Sequence, residues 1–308
     1  MDELLDIANR IKNIQIQGAS NVAKAGIKAF ADYLNSIDFS SLNELTPYMN
    51  EARDILFQTR DTEPALRNCI NLIIRKLEKS GVNSEAATLK NLLQESATFF
   101  IDRIGTSIDE IGKIGARRIT DGMIIMTHCH SSAAESILIE AKKQGKQFQV
   151  ICTETRPKYQ GRITARHLID AKIPVTMVVD SAMRWVLKNK AINMIITGAD
   201  AITSEGTVLN KIGSRLLALA ANESHVPYYI ATPLLKYDTE TVVGNLTKIE
   251  YRESEEIWPK AEHRPENLQF QNPAFETISH EYIDGLITEV GIFAPELIGV
   301  MFEKYYEI

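Results

Sequence analysis

The sequence predicts an α/β fold, a helical N-terminal domain followed by a doubly wound, mostly parallel sheet domain. Two observations carry this. Up to about residue 117, apolar positions recur at the spacing of amphipathic helices. From Met123 onward the period changes, and apolar runs of four to six residues alternate with helical stretches, which is the pattern of strand–helix units in a Rossmann-like sheet. The boundary is expected between residues 105 and 122, giving a helical domain over 1–117 and a catalytic domain over 118–308.

In order, Leu4, Leu5, Ile7, Ala8 and Ile11 mark the apolar face of a first helix, and Gly18 to Phe30 reads as a second. Leu66 to Leu77 and Ala87 to Ile104 repeat the period, interrupted beforehand by the loop from Thr59 to Pro64. Expected strands are Met123–Met126, Phe148–Cys152, Val175–Val179, Met194–Ile196 and Tyr228–Ala231. Expected helices between them are Ala133–Lys143, Arg162–Ala171, Ser181–Lys188 and Asn210–Asn222. Residues 245–275 are polar and proline-bearing, with Trp258 and Phe270 as bulky apolar positions, and read as an excursion. Leu286–Thr288 is a candidate further strand and Pro295–Tyr305 a last helix.

Composition bounds the function. With 44% apolar and 24% charged residues, the chain is an ordinary globular protein, and a formal charge of −6 argues against general binding to nucleic acid or a membrane surface. The N-terminus carries acids and lacks a targeting pattern, and no apolar run approaches the roughly 20 residues needed to span a bilayer. Three cysteines without Cys-x-x-Cys spacing point to a reducing compartment, so a cytoplasmic protein is expected.

The stretch from Asp121 to Ser132 organises the rest. A strand buried on both faces is expected to end at Met126, and Ser132 stands at capping-box spacing before Glu135. Cys129 is therefore expected in a turn between a strand's carboxyl end and a helix's amino end, where open α/β sheets bind ligands and where a phosphate or a thiolate is favoured. Two further loops follow strands: Thr153 to Arg162, and Thr197-Gly198-Ala199-Asp200 with Asn210-Lys211-Ile212-Gly213. In a parallel sheet all three project from one edge and together offer a thiol, a carboxylate and several cations, a set suited to proton transfer on a small phosphorylated substrate. Cysteine is also commonly a small buried apolar residue, and Cys69 and Cys152 read that way. His128 and His130 could be metal ligands, but no further ligand cluster is visible nearby, so hydrogen-bonding roles are expected and no metal or cofactor. The glycine pattern matches neither the dinucleotide fingerprint nor the P-loop.

The stretches THCHS, TETRPKYQGRITA, VDSA, GADAIT and NKIG, in this order and spacing, resemble archaeal ribose-1,5-bisphosphate isomerases. These are a branch of the superfamily that also holds methylthioribose-1-phosphate isomerase and the regulatory subunits of translation initiation factor 2B. The resemblance implies an aldose–ketose isomerisation of ribose 1,5-bisphosphate to ribulose 1,5-bisphosphate, in nucleoside monophosphate degradation. It puts the catalytic cysteine at Cys129 and the catalytic aspartate at Asp200. It implies substrate or phosphate contacts from Gly18, Ala19, Arg60, His130, Ser131, Arg156, Lys158, Gln160, Gly161, Asn210, Lys211 and Lys236. It also implies a homohexamer, a trimer of dimers, and leaves room for a nucleotide activator. The isomerases' Arg-Gly-Ala appears here as Gln17-Gly18-Ala19, which supplies a hydrogen bond but no charge, and their Arg-Pro-Thr appears as Arg60-Asp61-Thr62. Arg60 is expected to add charge and closure over the ligand. The alternatives are a non-catalytic regulatory subunit of initiation factor 2B, which typically lacks the cysteine and the Arg-Pro, and methylthioribose-1-phosphate isomerase, which usually shows Asn-Thr-Gly where this chain has His130-Ser131-Ser132.

Overall fold

The computed structural model describes residues 1–16, 18–60, 63–81, 84–244 and 249–306. Its contacts divide the chain into two units, Met1–Thr106 and Ser107–Ile308. The first holds α1 (Asp2–Lys12), α2 (Ala19–Asn35), α3 (Leu42–Phe57), α4 (Pro64–Lys79) and most of α5 (Ala86–Ala116). Each begins or ends where local chemistry dictates. Ser41 caps α3 by accepting from the Glu44 amide, Pro64 opens α4 where its missing N–H is no loss, and Asp2 and Glu3 sit at the positive end of α1. The apolar faces close on a core that includes Val22, Ile27, Phe30, Leu45, Leu56, Leu66, Ile70 and Leu77, all at most 1% exposed.

The division in contacts falls inside α5, about ten residues before the 117/118 boundary expected from the sequence. The reason is packing. Ile108, Ile111, Ile114 and Ala116, on the last turns of α5, join the core of the second unit, so a continuous helix changes allegiance before it ends.

The second unit contains a seven-stranded sheet. Its strands are β1 (Ile124–Thr127), β2 (Gln149–Thr153), β3 (Val175–Val178), β4 (Met194–Thr197), β7 (Tyr228–Ala231), β9 (Gly285–Thr288) and β10 (Gly291–Phe293), in the order β10-β9-β7-β4-β1-β2-β3. All pairs are parallel except β9–β10. The helices are α6 (Ser132–Lys143), α7 (Gly161–Asp170), α8 (Met183–Asn189), α9 (Ser214–Ser224) and α10 (Ile298–Tyr306). The chain runs outward from β1 to β3, then returns to place β4 on the other side of β1. The turns after β1 and β4 therefore flank the topological switch point, where doubly wound sheets bind ligands.

Two expectations are corrected. Asn210 and Lys211 do not open a helix but end β6 (Val208–Lys211), which pairs antiparallel with β5 (Ala201–Ile202) and β8 (Phe275–Ile278) in a second, three-stranded sheet. Strand register across β8, sixty residues on, decides this. Helix α6 is capped by Ser131, one residue before the expected Ser132. Within the excursion Trp258 and Phe270 are engaged: the indole N–H donates to the Glu262 carbonyl, and Arg264 lies 5.0 Å from the Phe270 ring centroid.

Two glycines on α5 bring α6 close. A Cβ on Gly112 would stand 2.3 Å from the Ser136 hydroxyl and 3.1 Å from its carbonyl oxygen, and one on Gly115 would stand 2.4 Å from Ile137 Cδ1. Alanine would gain up to about 1 kcal/mol of helix propensity. The steric conflict costs about 1–3 kcal/mol, and at Gly112 it involves backbone that cannot rotate away. Gly112→Ala is thus expected to lower stability by about 1–2 kcal/mol in chemical denaturation, with an unchanged m-value.

Candidate active site

The turn after β1 is built from paired polar groups. His128 is 1% exposed. Its Nε2 lies 2.9 Å from the Ile212 carbonyl, which can only accept, so Nε2 carries the proton. Its Nδ1 then accepts from the Thr153 hydroxyl at 2.6 Å. Thr153 in turn accepts from the Thr155 hydroxyl at 3.2 Å, and Thr155 accepts from the Cys129 amide at 2.9 Å. A single directed chain thus runs from the Cys129 N–H to the Ile212 carbonyl and joins the turns after β1, β2 and β6. Burial lowers the His128 pKa, consistent with the neutral tautomer that this chain requires.

Cys129 and Thr155 both take left-handed backbone, with φ of 65° and 63°. For a β-branched threonine this is a genuine outlier, and such strain, about 1–3 kcal/mol per residue, persists only where surroundings impose it. Asp180 imposes it on one side, its two carboxylate oxygens accepting from the Thr155 amide at 2.8 Å and the Arg156 amide at 2.7 Å. Thr164 of α7 acts on the other, donating to the Cys129 carbonyl at 3.0 Å. Gly161, the first residue of α7, admits no side chain, since a Cβ there would stand 1.8 Å from the Thr153 carbonyl oxygen. Gly161 serves the close approach of α7 to β2.

The electrostatics differ from the sequence expectation at Cys129. A thiolate stabilised by the start of α6 was expected. Burial instead pushes the thiol up to about 12; the His130 amide hydrogen bond and Lys211 lower it, while Asp200 and Asp180 raise it further. Desolvation outweighs the helix terminus. Lys211 is 7% exposed, and burial lowers its pKa against the opposing effects of Cys129, Glu256 and Asp200. Cys129, Asp200 and Lys211 thus form one electrostatic group. The Lys236 ammonium donates to the carbonyl of Ala199, next to Asp200. Asn210 is buried and donates to the Ser214 hydroxyl at 2.9 Å.

The remaining predicted residues divide. Gln160 has a buried side-chain oxygen with no hydrogen-bond partner among the described residues, a group that needs an explanation in a native site. Arg156 donates to the Ile257 carbonyl and the Tyr159 hydroxyl, and Lys158 pairs with Glu256 at 3.2 Å, so both engage the 254–258 segment. Ser131 serves as the α6 cap, accepting from the Ala134 amide. The amino end of α9 is filled by Glu276, which accepts from the Gly213 and Arg215 amides. In the helical unit, Gly18 stands at the cap position of α2 with φ 83°, and Ala19 is its first residue. Arg60 forms a largely buried ion pair with Glu63 at 3.1 Å. Gln17, Asp61 and Thr62 lie outside the described residues.

Sequence reasoning assigned no role to Thr153, Thr155, Thr164, Asp180 or His167, and read Glu135 only at capping-box spacing from Ser132. Asp180 had a signal, the VDSA stretch, but its partners are two amides on another loop that spacing cannot reveal. Removing the Thr164 hydroxyl releases the Cys129 carbonyl without touching the thiol. Thr164→Val is expected to lower kcat by about tenfold to a hundredfold with little change in KM, and Thr164→Ser to restore it. Equal losses in both variants would mean that Thr164 only fills space.

The family model for the initiation factor 2 subunit family matches residues 15–295. A ribose 1,5-bisphosphate isomerase of Methanocaldococcus jannaschii is 40% identical over 99% of this chain and 96% of its own length. A methylthioribose-1-phosphate isomerase of Petrotoga mobilis is 32% identical over 94% of this chain and 87% of its own. A crystal structure of the Pyrococcus horikoshii translation initiation factor eIF-2B superposes with a TM-score of 0.79 at 29% identity, covering 96% of this chain and 98% of that one. The chain belongs to the initiation factor 2 subunit family, and within it stands among relatives that are isomerases.

Proposed function

We propose that this enzyme converts α-ribose 1,5-bisphosphate to ribulose 1,5-bisphosphate. The observation that carries the reading is the grouping of Cys129 and Asp200, from turns on either side of the switch point, with the buried cation of Lys211. The isomerases that share 40% and 41% of its residues support the substrate.

The chemistry needs two proton positions. A phosphate on C1 prevents simple opening of the sugar ring. A base must take the C2 proton as the bond between C1 and the ring oxygen breaks, while an acid gives that oxygen a proton. The product is an enol carrying the C1 phosphate. Returning a proton to C1, as the C2 hydroxyl gives up its own, yields the ketose. We assign Cys129 as the base and Asp200 as the acid. In the resting site the thiol holds its proton. Passing that proton to the Asp200 carboxylate creates thiolate and carboxylic acid together. The transfer adds no net charge to a buried site, which matters because an unpaired buried charge is costly. Lys211 then faces the thiolate.

Gln160, with its unsatisfied oxygen, is assigned to a substrate hydroxyl. His130, Asn210 and Lys236 complete the assigned contacts from this unit. Arg156 and Lys158 can serve a phosphate on leaving their present partners. The presence of Cys129 with Arg156-Pro157 favours this enzyme over a regulatory subunit, and His130-Ser131-Ser132 after the cysteine favours it over a methylthioribose-1-phosphate isomerase. The substrate places the enzyme in nucleoside monophosphate degradation, and we extend the proposal to a hexameric assembly of dimers.

Direct assay with ribose 1,5-bisphosphate and methylthioribose 1-phosphate tests the reading, and turnover of the second alone would overturn it. Cys129→Ser is expected to reduce kcat by about 100- to 10,000-fold with the fold intact by circular dichroism, because a serine hydroxyl is far too weak an acid to supply the base. Asp200→Asn should lose turnover to a similar degree while retaining substrate binding by calorimetry; equal loss of both would make Asp200 a binding residue only. Light scattering at micromolar concentration checks the assembly, and a monomer there contradicts it.

A further inference from the structure

Beside the reactive turn lies a group of side chains of which the proposed reaction uses only His130. Glu135, in the first turn of α6, is only 6% exposed, and burial alone would favour its neutral form. Among the described residues, no arginine or lysine hydrogen-bonds or ion-pairs with it. Instead its two oxygens bridge two imidazoles, one 2.9 Å from His130 Nδ1 and the other 2.9 Å from His167 Nδ1 of α7. Thr164 also reaches His130 Nδ1, at 3.3 Å, but its single hydroxyl proton is given to the Cys129 carbonyl. The imidazole rings stand 5.5 Å apart at 78°, so their Nδ1 atoms converge on one carboxylate from different directions. One donor atom from each of the three residues can be chosen so that all lie within 4.8 Å of one another.

We propose that His130, Glu135 and His167 form a binding site for a borderline transition-metal ion, zinc above all, that staples α7 to the Cys129 turn. Three arguments meet here. Two imidazoles with one carboxylate are a donor set that zinc accepts in three-ligand sites with an open fourth position. At metal–ligand distances of about 2.0–2.2 Å, tetrahedral ligand atoms lie about 3.3–3.6 Å apart, so the 2.9 Å His–Glu pairs open slightly on binding while the wider pairs of the group, within 4.8 Å, draw in. Finally, Glu135 is a buried carboxylate with an imidazole nitrogen on each oxygen, an anionic ligand set that a dication complements. Binding requires each imidazole to leave Nδ1 free to ligate, with its ring proton on Nε2. The sequence concealed the site because its ligands are distant, with His167 37 positions beyond His130.

The consequence for activity rests on the reading of His130 as a substrate contact. A metal that takes His130 removes that contact and stiffens the turn, so occupancy inhibits. The binding itself does not depend on which reaction Cys129 performs.

The test uses the tag-free full-length protein, stripped with chelator. Calorimetry with zinc chloride should find one equivalent bound, and cobalt(II) should give the visible absorption of a low-symmetry, four- or five-coordinate site. Zinc should raise Tm in the wild type and not in His167→Ala. Because His167 is half-exposed and outside the reacting group, His167→Ala should keep the activity of the metal-free enzyme while weakening zinc at least about tenfold, as should the isosteric Glu135→Gln. Cys129→Ser should bind zinc as the wild type does. No binding at millimolar zinc, binding unchanged in both His167→Ala and Glu135→Gln, or binding lost in Cys129→Ser would each overturn the proposal. Zinc that binds as described but leaves isomerase turnover untouched would overturn only the inhibition.

Discussion

The hydrogen-bond chain from the Cys129 amide through Thr155, Thr153 and His128 to the Ile212 carbonyl holds three turns of the sheet edge in one arrangement. Every link uses its donor or acceptor once, and the direction of each follows from the two ends, an amide that can only donate and a carbonyl that can only accept. His128 and Thr155 are buried with their polar atoms paired, so losing one partner would strand another out of water at a cost of about 1–3 kcal/mol. The left-handed backbone at Cys129 and Thr155 is sustained by this network together with Asp180. Strain and satisfied polar groups are two sides of the same construction.

The same burial governs reactivity. A helix start and a nearby lysine favour a thiolate, yet the enclosure around Cys129 outweighs both and keeps the thiol protonated. Lys211 is subject to the same force in the opposite sense, since desolvation disfavours its cation. A site of this kind holds its charges latent and couples them, so that a proton leaving one group is best received by another within the group. Family membership alone does not establish this chemistry, because the initiation factor 2 subunit family includes relatives described as translation factors as well as isomerases. The argument for catalysis rests on the paired Cys129 and Asp200.

Around this centre, polar residues without an obvious motif do much of the positioning. Asp180 fastens the loop after β2, Glu276 fills the start of α9, and Glu135 joins α6 to α7 through two histidines. Arg156 and Lys158 lean toward the 254–258 segment, which thereby borders the loop after β2.

The sequence by itself determined the α/β class, the change of period near Met123, the parallel strands and the turns carrying Cys129 and Asp200, because these are local patterns written in contiguous apolar runs. Through five short stretches in a fixed order it carried the family resemblance from which Cys129 and Asp200 are proposed as the reactive pair. Tertiary structure decided what local pattern cannot express. Val208–Lys211 is a strand because β8 lies beside it, and α5 divides between two cores because its final turns face a different partner. Burial among distant residues raises the Cys129 thiol pKa, and the Glu135–His130–His167 group exists because α6 and α7 pack side by side. Burial and long-range pairing depend on the whole chain, whereas periodicity depends on a few neighbouring residues, and that difference in range separates what could be read in advance from what could not.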